Sequence, residues 1–268
     1  MSKKSGQARV PKPTDWDRLY LEISKRRHPE KNRAIMKVSE TLGLRVQEIS
    51  LLEFKEVCKL HGKPGAANRK FKLFEIMTLP ASYTKGAKAI GRSTVKYKRR
   101  KISFSVEEFG KILKQVTALV EAGAEVKPEN FYPDVAPHKG VARDLPLVNQ
   151  DLIEALNAHI QARIDNDPYI KPSDPLFVTQ KGGSYSPNTL QEHMSLMLKV
   201  WANIEKASSH SGRRAVISDV IHNQKKSLKV AQTIAGHKTA STTVIYDQPP
   251  EEEISEALKG IGVRNKPS

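Results

Sequence analysis

The sequence has little of what stabilises small secreted proteins or carries a chain into a membrane. It contains a single cysteine, Cys58, which excludes an internal disulfide framework and a cysteine-based metal cluster. No apolar run is long enough to cross a bilayer, and the opening stretch MSKKSGQARVPKP lacks the apolar core of a signal peptide. We therefore expect a soluble, cytoplasmic protein of a reducing compartment.

Acidic residues are also scarce. The 268 residues include 29 Asp and Glu against 45 Lys and Arg, a formal net charge of +16, which predicts a polyanionic partner such as nucleic acid. One segment, residues 84–101, has eight basic residues and no acid, with Tyr83 and Tyr97 beside them. It is typical of a segment that follows a phosphate backbone, and a solvated loop is the alternative. Its basic residues are Lys85, Lys88, Arg92, Lys96, Lys98, Arg99, Arg100 and Lys101.

Helical periodicity dominates the rest of the chain. Thr14 is predicted to cap a first helix, with Asp17 as the acid of its capping box. Ser105 and Glu108 form a similar box before an amphipathic helix that Gly123 ends. Further helices are predicted from Pro29 to Gly43, again directly after Gly43, from about 150 to 164, and from near Pro187, Ser209, Ser227 and Thr239.

Few segments favour strands. FKLFEIMTLP alternates well enough to form one strand, with KYKRRKISFS as its hairpin partner, and LFVT is a further short strand. The alternation of strand and helix that a parallel sheet requires is missing from the pattern. The predicted fold class is therefore mainly α with small antiparallel hairpins (α+β).

Four motifs carry residues suited to phosphate chemistry. His210 and Arg213, three residues apart at the start of a predicted helix, share one face near its N-terminus, where anions bind well. Arg45 follows a helix break, and Glu48 lies one turn further on to hold the guanidinium. The motifs are, in order, ETLGLRVQEISLL with Arg45, HKGVARDLPL with Lys139, SSHSGRRAVIS with His210 and Arg213, and AGHKTASTTVIYDQ with His237 and Tyr246.

In this order the set closely resembles the catalytic domain of the tyrosine recombinases, the family of phage and plasmid integrases. The resemblance implies a fold like that of the tyrosine recombinase and type IB topoisomerase catalytic domains. It also implies a site-specific recombinase that cleaves and rejoins DNA through a 3′-phosphotyrosine, without a metal or an energy cofactor. The implied partners are double-stranded DNA, further copies of the chain in a tetramer on paired sites, and an accessory DNA-bending protein, in association with the nucleoid.

The resemblance also implies a role for each residue. Tyr246 would be the nucleophile, and Arg45 and Arg213 would clamp the phosphate with planar forks that lysine cannot imitate. His210 would assist proton movement from the tyrosine, and His237 would donate a hydrogen bond to a phosphate oxygen. Lys139 would supply the proton to the departing 5′ oxygen.

Tyr246 follows His237 by nine positions, which is two and a half turns of a continuous helix. The two side chains would then face different ways. We expect the break at Gly236 and the turn KTAST to fold the chain back and bring both to one phosphate.

The chain departs from the family pattern in three places. Arg214 stands where relatives often have histidine, and it adds a positive charge for DNA binding. Only some forty residues precede Arg45, where a typical member has a separate DNA-binding domain. The stretch between Arg45 and Lys139 is longer than in most relatives, so residues 60–132 are interpreted as an insertion. That insertion either replaces part of the DNA clamp through its basic hairpin or docks a protein.

The predicted organisation is a flexible basic arm (1–13), a catalytic domain (14–250) and a C-terminal helix (251–268). That helix is expected either to pack on a neighbouring protomer or on its own domain.

Two questions remain open from the sequence. Lys85, in TKGAKAIG, competes with Lys139 for the catalytic lysine, although the spacing around KGVARDLPL favours Lys139. A type IB topoisomerase and a non-catalytic DNA-binding relative are alternative functions. The short chain and His210 favour the recombinase over the first, and intact Arg45, Arg213, His237 and Tyr246 argue against the second.

Overall fold

The computed structural model describes residues 8–66, 69–83, 105–126, 142–237, 239–246 and 251–260. Several predicted positions lie outside these ranges: Lys85, Lys88, Arg92, Lys96, Lys98, Arg99, Arg100, Lys101 and Lys139. The helices are α1 (Pro13–Ser24), α2 (Pro29–Leu42), α3 (Val46–Leu51), α4 (Phe54–Val57), α5 (Val106–Glu121), α6 (Gln150–Asn166), α7 (Pro187–Ser195), α8 (Ser211–Ser218), α9 (Leu228–Ala235), α10 (Ala240–Val244) and α11 (Glu251–Gly260). The strands are β1 (Cys58–His61), β2 (Lys70–Leu73), β3 (Ile76–Leu79) and β4 (Arg143–Pro146). Two helices continue as π-helix, α7 over Leu196–Trp201 and α8 over Asp219–Asn223.

The start of α1 differs from its prediction. Pro13 takes the first helical position, where its missing N–H has no partner to lose, so Lys12 and not Thr14 is the N-cap. Asp15 is buried and accepts the Lys12 N–H at 2.9 Å, doing what was predicted for Asp17. Arg9 and Arg18 both pair with the same carboxylate, which ties the end of the N-terminal segment to the helix.

Helix α2 confirms its predicted limits and forms the centre of the fold. It begins at Pro29 and ends at Gly43, whose positive φ of 59° suits a glycine after a helix end. Its buried face packs against α6 and α8. Close packing against α8 depends on Gly212, because a Cβ there would lie 2.4 Å from Ser39 Oγ and 2.9 Å from the Ser39 backbone.

The sheet prediction was wrong in two respects. FKLFEIMTLP forms two short strands and not one, because the chain turns at Phe74 and Glu75. Strand β2 pairs antiparallel with β1, and β3 pairs antiparallel with β4, placing Leu79 opposite Arg143. The predicted partner KYKRRKISFS lies outside the described residues except for Ser105, which is the N-cap of α5. The segment LFVT is not a strand either, since only an isolated bridge between Val178 and Ser184 forms there.

The core is one large cluster with a small second one beside it. Residues from α1 to α4, from β3 and β4, and from α6 and α7 form the large cluster. The small cluster joins α8 to α9, and Tyr246 packs against its edge. Its buried members are Val216, Ile217, Val220, Ala231 and Ala235. The predicted nucleophile is thus held by a few apolar contacts at the margin of the fold.

Helix α5 confirms its predicted capping box, in which the Glu108 N–H donates to Ser105 Oγ at 3.2 Å. None of its residues is buried, and Val106 is 92% exposed. The fold is mainly helical with two small antiparallel pairs in the described residues, as predicted. Over the same ranges, no helix has the length and apolarity needed to span a membrane.

Candidate active site

Arg213 lies at the buried centre of the site. It belongs to the first turn of α8, which begins directly after His210, and only 1% of its surface is exposed. Its guanidinium donates to Gly43 O at 2.7 Å and to Ala235 O. Both carbonyls are at helix C-terminal ends, where the helix dipole favours a cation. Burial, and then the charge of Arg45, lower the Arg213 pKa to about 10, so the side chain stays charged at neutral pH.

Glu48 is a buried carboxylate that holds two further guanidinium groups. Arg45 donates its backbone N–H to Oε2 at 2.7 Å and its Nη1 to Oε1 at 2.9 Å, as the sequence predicted. Arg143 donates Nη2 to Glu48 Oε2 at 2.6 Å. Glu48 is 1% exposed, so its hydrogen bonds are shielded from competing water.

Arg143 also links the strand pair to the end of α9. Its Nη1 donates to Ile234 O at 2.5 Å, and a Cβ at Gly236 would lie 2.8 Å from this nitrogen. Gly236 itself has a positive φ of 61°, so glycine is favoured there by both space and backbone. Burial lowers the Arg143 pKa although Glu48 opposes the shift.

His237 and Tyr246 lie side by side, as the predicted chain reversal required. The chain turns at Gly236, α10 follows, and the two rings stack with their centroids 5.4 Å apart and an interplanar angle of 24°. His237 Nδ1 is 2.8 Å from Thr243 Oγ1, and the Gln232 amide donates to His237 O at 3.0 Å. Burial, followed by the charges of Arg213, Arg45 and Arg143, lowers the His237 pKa to about 3. The imidazole is therefore neutral over the physiological pH range.

The site thus combines three guanidinium groups with one carboxylate. The formal charge of Arg45, Arg143 and Arg213 is +3, and Glu48 reduces it to +2 (3 − 1 = 2). Because these groups are partly or fully withdrawn from water, their field acts on a bound anion with little screening. The arrangement suits a ligand that carries or develops two negative charges.

The other predicted site residues lie at the surface or outside the described ranges. His210 is exposed at the N-cap of α8, and Arg214, next to Arg213, is half-buried. Lys85 and Lys139 both belong to the connection from β3 to β4, which runs over residues 80–142.

Sequence reasoning missed two contributors, Arg143 and Thr243. Arg143 stands in the quoted stretch HKGVARDLPL, and a basic residue directly before the segment DLPL was the available signal. Thr243 is fully buried, and nothing in STTVIY distinguishes it from Thr242. Only its contact with His237 does so.

Comparison with known proteins is consistent with this geometry. Residues 135–253 match the model of the phage integrase family. A curated relative is the tyrosine recombinase XerC of Methylobacterium sp. (strain 4-46), 29% identical over 98 residues. That match covers 36% of this chain and only 30% of XerC.

Solved structures extend the likeness of fold to nearly the whole chain. The XerA recombinase matches with a TM-score of 0.56 and 17% identity, covering 97% of this chain and 68% of that one. The Tn1549 transposon integrase, in complex with transposon right end DNA, has a TM-score of 0.53 and 12% identity, and the match covers 96% of this chain and 67% of that one. The XerH recombinase bound to palindromic difH substrate has a TM-score of 0.55 and 14% identity, and the match covers 95% of this chain and 54% of that one. The resemblance to the tyrosine recombinases is therefore supported in two ways: residues 135–253 match the phage integrase family model, and the fold is similar to that of the solved recombinases.

Proposed function

We propose that this protein is a site-specific DNA recombinase that cleaves and rejoins DNA strands, with Tyr246 as the nucleophile. The observation that most supports this function is the stacking of Tyr246 on His237 beside the arginine cluster, which consists of Arg45, Arg143 and Arg213. In the proposed cleavage, a bond forms between the phenolic oxygen and phosphorus, and the bond from phosphorus to the 5′ oxygen breaks. The phenol loses its proton and the departing oxygen gains one. The 3′-phosphotyrosine conserves the bond, so rejoining is the same reaction in reverse.

The charge of the cluster supports phosphoryl transfer in particular. A phosphodiester carries a single negative charge, and further negative charge builds on its nonbridging oxygens as the tyrosine attacks. A formal charge of +2 from Arg45, Arg143, Arg213 and Glu48 exceeds what the ground state needs and matches the more highly charged transition state. Charge placed in this way favours the transition state over the bound substrate and so accelerates the chemistry.

The individual roles follow from the donors that each residue offers. Arg45 and Arg213 would each present guanidinium N–H groups to the nonbridging oxygens. His237, neutral at physiological pH, would donate one hydrogen bond to the phosphate. Lys139, or alternatively Lys85, would supply the proton to the 5′ oxygen. A role for His210 in moving the tyrosine proton is compatible with its exposed position at the start of α8.

DNA binding is proposed to depend largely on the basic segment 84–101. Its eight Lys and Arg residues lie in the sequence between the paired strands β3 and β4, and β4 begins with Arg143 of the site. We propose that this segment and Arg214 bind phosphates along the duplex, and that the extra length over 60–132 serves this purpose.

The domain limits 14–250 and 251–268 are part of the same proposal, as is exchange of the C-terminal helix within a tetramer. Ile254 and Leu258 of α11 are 47% and 62% exposed, which supports an apolar contact there.

A covalent trapping experiment with the Tyr246→Phe variant tests the proposal. The protein is incubated with DNA fragments from around its own gene, denatured, and the protein-linked DNA is isolated and sequenced. Wild-type protein should give adducts at a defined sequence, with the phosphotyrosine on the peptide that contains Tyr246. The variant keeps the ring and loses only the phenolic oxygen, so it should bind the same DNA and give no adduct.

Two results would contradict parts of the proposal. Adducts at the wild-type level in Tyr246→Phe would remove the assignment of the nucleophile. Adducts without strand exchange, together with relaxation of supercoiled DNA irrespective of sequence, would indicate a topoisomerase. Joined products between two DNA molecules that carry the site would support recombination.

A further inference from the structure

The hydroxyl of Thr243 occupies the position that decides which nitrogen of His237 carries the proton. Thr243 is fully buried, and its Oγ1 lies 2.8 Å from His237 Nδ1. No other described side chain makes a hydrogen bond to either ring nitrogen of His237. A neutral imidazole has one N–H, and the partner of one nitrogen therefore fixes the character of the other.

The chemistry of the site selects one of the two tautomers. A phosphate oxygen accepts hydrogen bonds and donates none, so a neutral His237 can assist it only with an N–H. Since Nδ1 is occupied by Thr243, the proton has to be on Nε2. Nδ1 is then a bare acceptor, and the threonine hydroxyl must donate to it.

We propose that Thr243 is a positioning residue that holds His237 in the Nε2–H tautomer, ready to donate to the scissile phosphate. Thr243 does not touch the DNA in this proposal and acts only through His237. It also belongs to the short helix that leads to the nucleophile, since the Tyr246 N–H donates to Thr243 O at 2.9 Å. One residue therefore fixes both the tautomer of His237 and the backbone on which Tyr246 is carried. The proposal rests on the function proposed above.

The experiment compares three substitutions in α10. Thr243→Val keeps nearly the same shape and removes the hydroxyl, whereas Thr243→Ser keeps the hydroxyl. Thr242→Val is the matched control, because Thr242 is exposed and its hydroxyl lies 3.0 Å from that of Thr239. Nitrogen-15 NMR of the histidine side chains in the DNA-free protein reports the tautomer, and covalent adduct formation on the DNA trapped above reports the cleavage rate.

In the wild-type protein and in Thr243→Ser, His237 should be the Nε2–H tautomer. Thr243→Val should lose this preference and cleave about 10–100-fold more slowly, which is the loss seen when the hydrogen-bond partner of a metal-binding histidine is removed. Its DNA affinity should remain unchanged. Thr242→Val should match the wild type in tautomer and rate.

A double-mutant comparison separates positioning from a general loss of structure. In a His237→Ala background, Thr243→Val should cause no further loss of rate, because the residue through which it acts is gone. An equal loss in both backgrounds would overturn the proposal, as would an Nδ1–H tautomer in the wild-type protein or equal rates for Thr243→Val and Thr243→Ser. If the wild-type protein formed no adduct on any DNA, the proposed function would fail, whereas the NMR measurement would still decide the tautomer.

Discussion

Replacing Glu48 by glutamine should destabilise the protein strongly, although the two side chains have nearly the same shape. The carboxylate accepts three hydrogen bonds, from the backbone and side chain of Arg45 and from Arg143, and is 1% exposed. An amide can accept hydrogen bonds only with its oxygen. Its NH₂ group would face a guanidinium, and because both groups are donors no hydrogen bond could form between them. Arg45 and Arg143 would then repel each other with no carboxylate between them.

The size of the effect follows from these contacts. A hydrogen bond to a charged group contributes about 1.5–3 kcal/mol, and breaking a buried ion pair costs about 3–5 kcal/mol. We expect Glu48→Gln to lower the free energy of unfolding by about 3–5 kcal/mol. This is a large part of the total of about 5–15 kcal/mol that is typical of a folded protein.

Urea unfolding at neutral pH measures the change. The midpoint should fall by about 1 M or more, for a slope of about 1–3 kcal/mol per molar urea. The matched control is Glu107→Gln, since Glu107 pairs with Lys111 at 2.8 Å with side chains 80% and 70% exposed, and its midpoint should hardly change. Inorganic phosphate should restore part of the stability of Glu48→Gln, because an anion can replace the missing charge. A loss below about 1 kcal/mol would refute the argument that Glu48 holds Arg45 and Arg143 together.

Three further predictions concern other parts of the chain. Gly212→Ala should destabilise the protein by about 1–3 kcal/mol, because overpacking against the Ser39 backbone outweighs the gain of about 1 kcal/mol in helix propensity. Gly110→Ala is the control in the same thermal melt, since a Cβ there would meet no atom within 4 Å, and it should show only the gain in helix propensity. Lys139→Ala should slow cleavage of ordinary DNA by about 10²–10⁴-fold and recover on a 5′-thio substrate, whose leaving group needs no proton, and the same rescue at Lys85 would exchange the two assignments. Burial raises the pKa of the Cys58 thiol to about 12, so alkylation at pH 8 should be slow in the folded protein and fast in urea, and rapid labelling of the folded protein would contradict its buried position.

Local signals in the sequence were sufficient for most helices. Pro29, Gly43, Ser105, Ser227 and Gly236 lie at helix ends as predicted, because capping and positive φ depend on neighbouring residues alone. The first helix was the exception, since proline at the first helical position competes with a threonine cap and moved the start by two residues. The strand prediction failed for a different reason. A period of two shows that a segment can be a strand, but not where it ends or which distant segment pairs with it.

In the candidate site, too, the sequence was sufficient to predict one part and not another. The order Arg45, Lys139, His210, Arg213, His237 and Tyr246 was sufficient to predict a resemblance to the tyrosine recombinases, which the family match over residues 135–253 and the likeness of fold support. The roles of these residues stay predictions, and the described structure brings four of them together: Arg45, Arg213, His237 and Tyr246.

What the sequence by itself determined is the set of chemical groups, because the residue types and their order are enough to indicate phosphate chemistry by a tyrosine. Only the tertiary structure decided how those groups are held. Arg143 reaches Glu48 and the end of α9 from a strand that pairs with β3, and Thr243 becomes important only because the chain reverses at Gly236. The Arg143 contacts join segments that are far apart in the chain and whose sequences carry no sign of each other. Thr243 is only six residues from His237, but the sequence does not show which of its two neighbouring threonines reaches the imidazole, because a buried hydrogen bond depends on where two atoms lie in space.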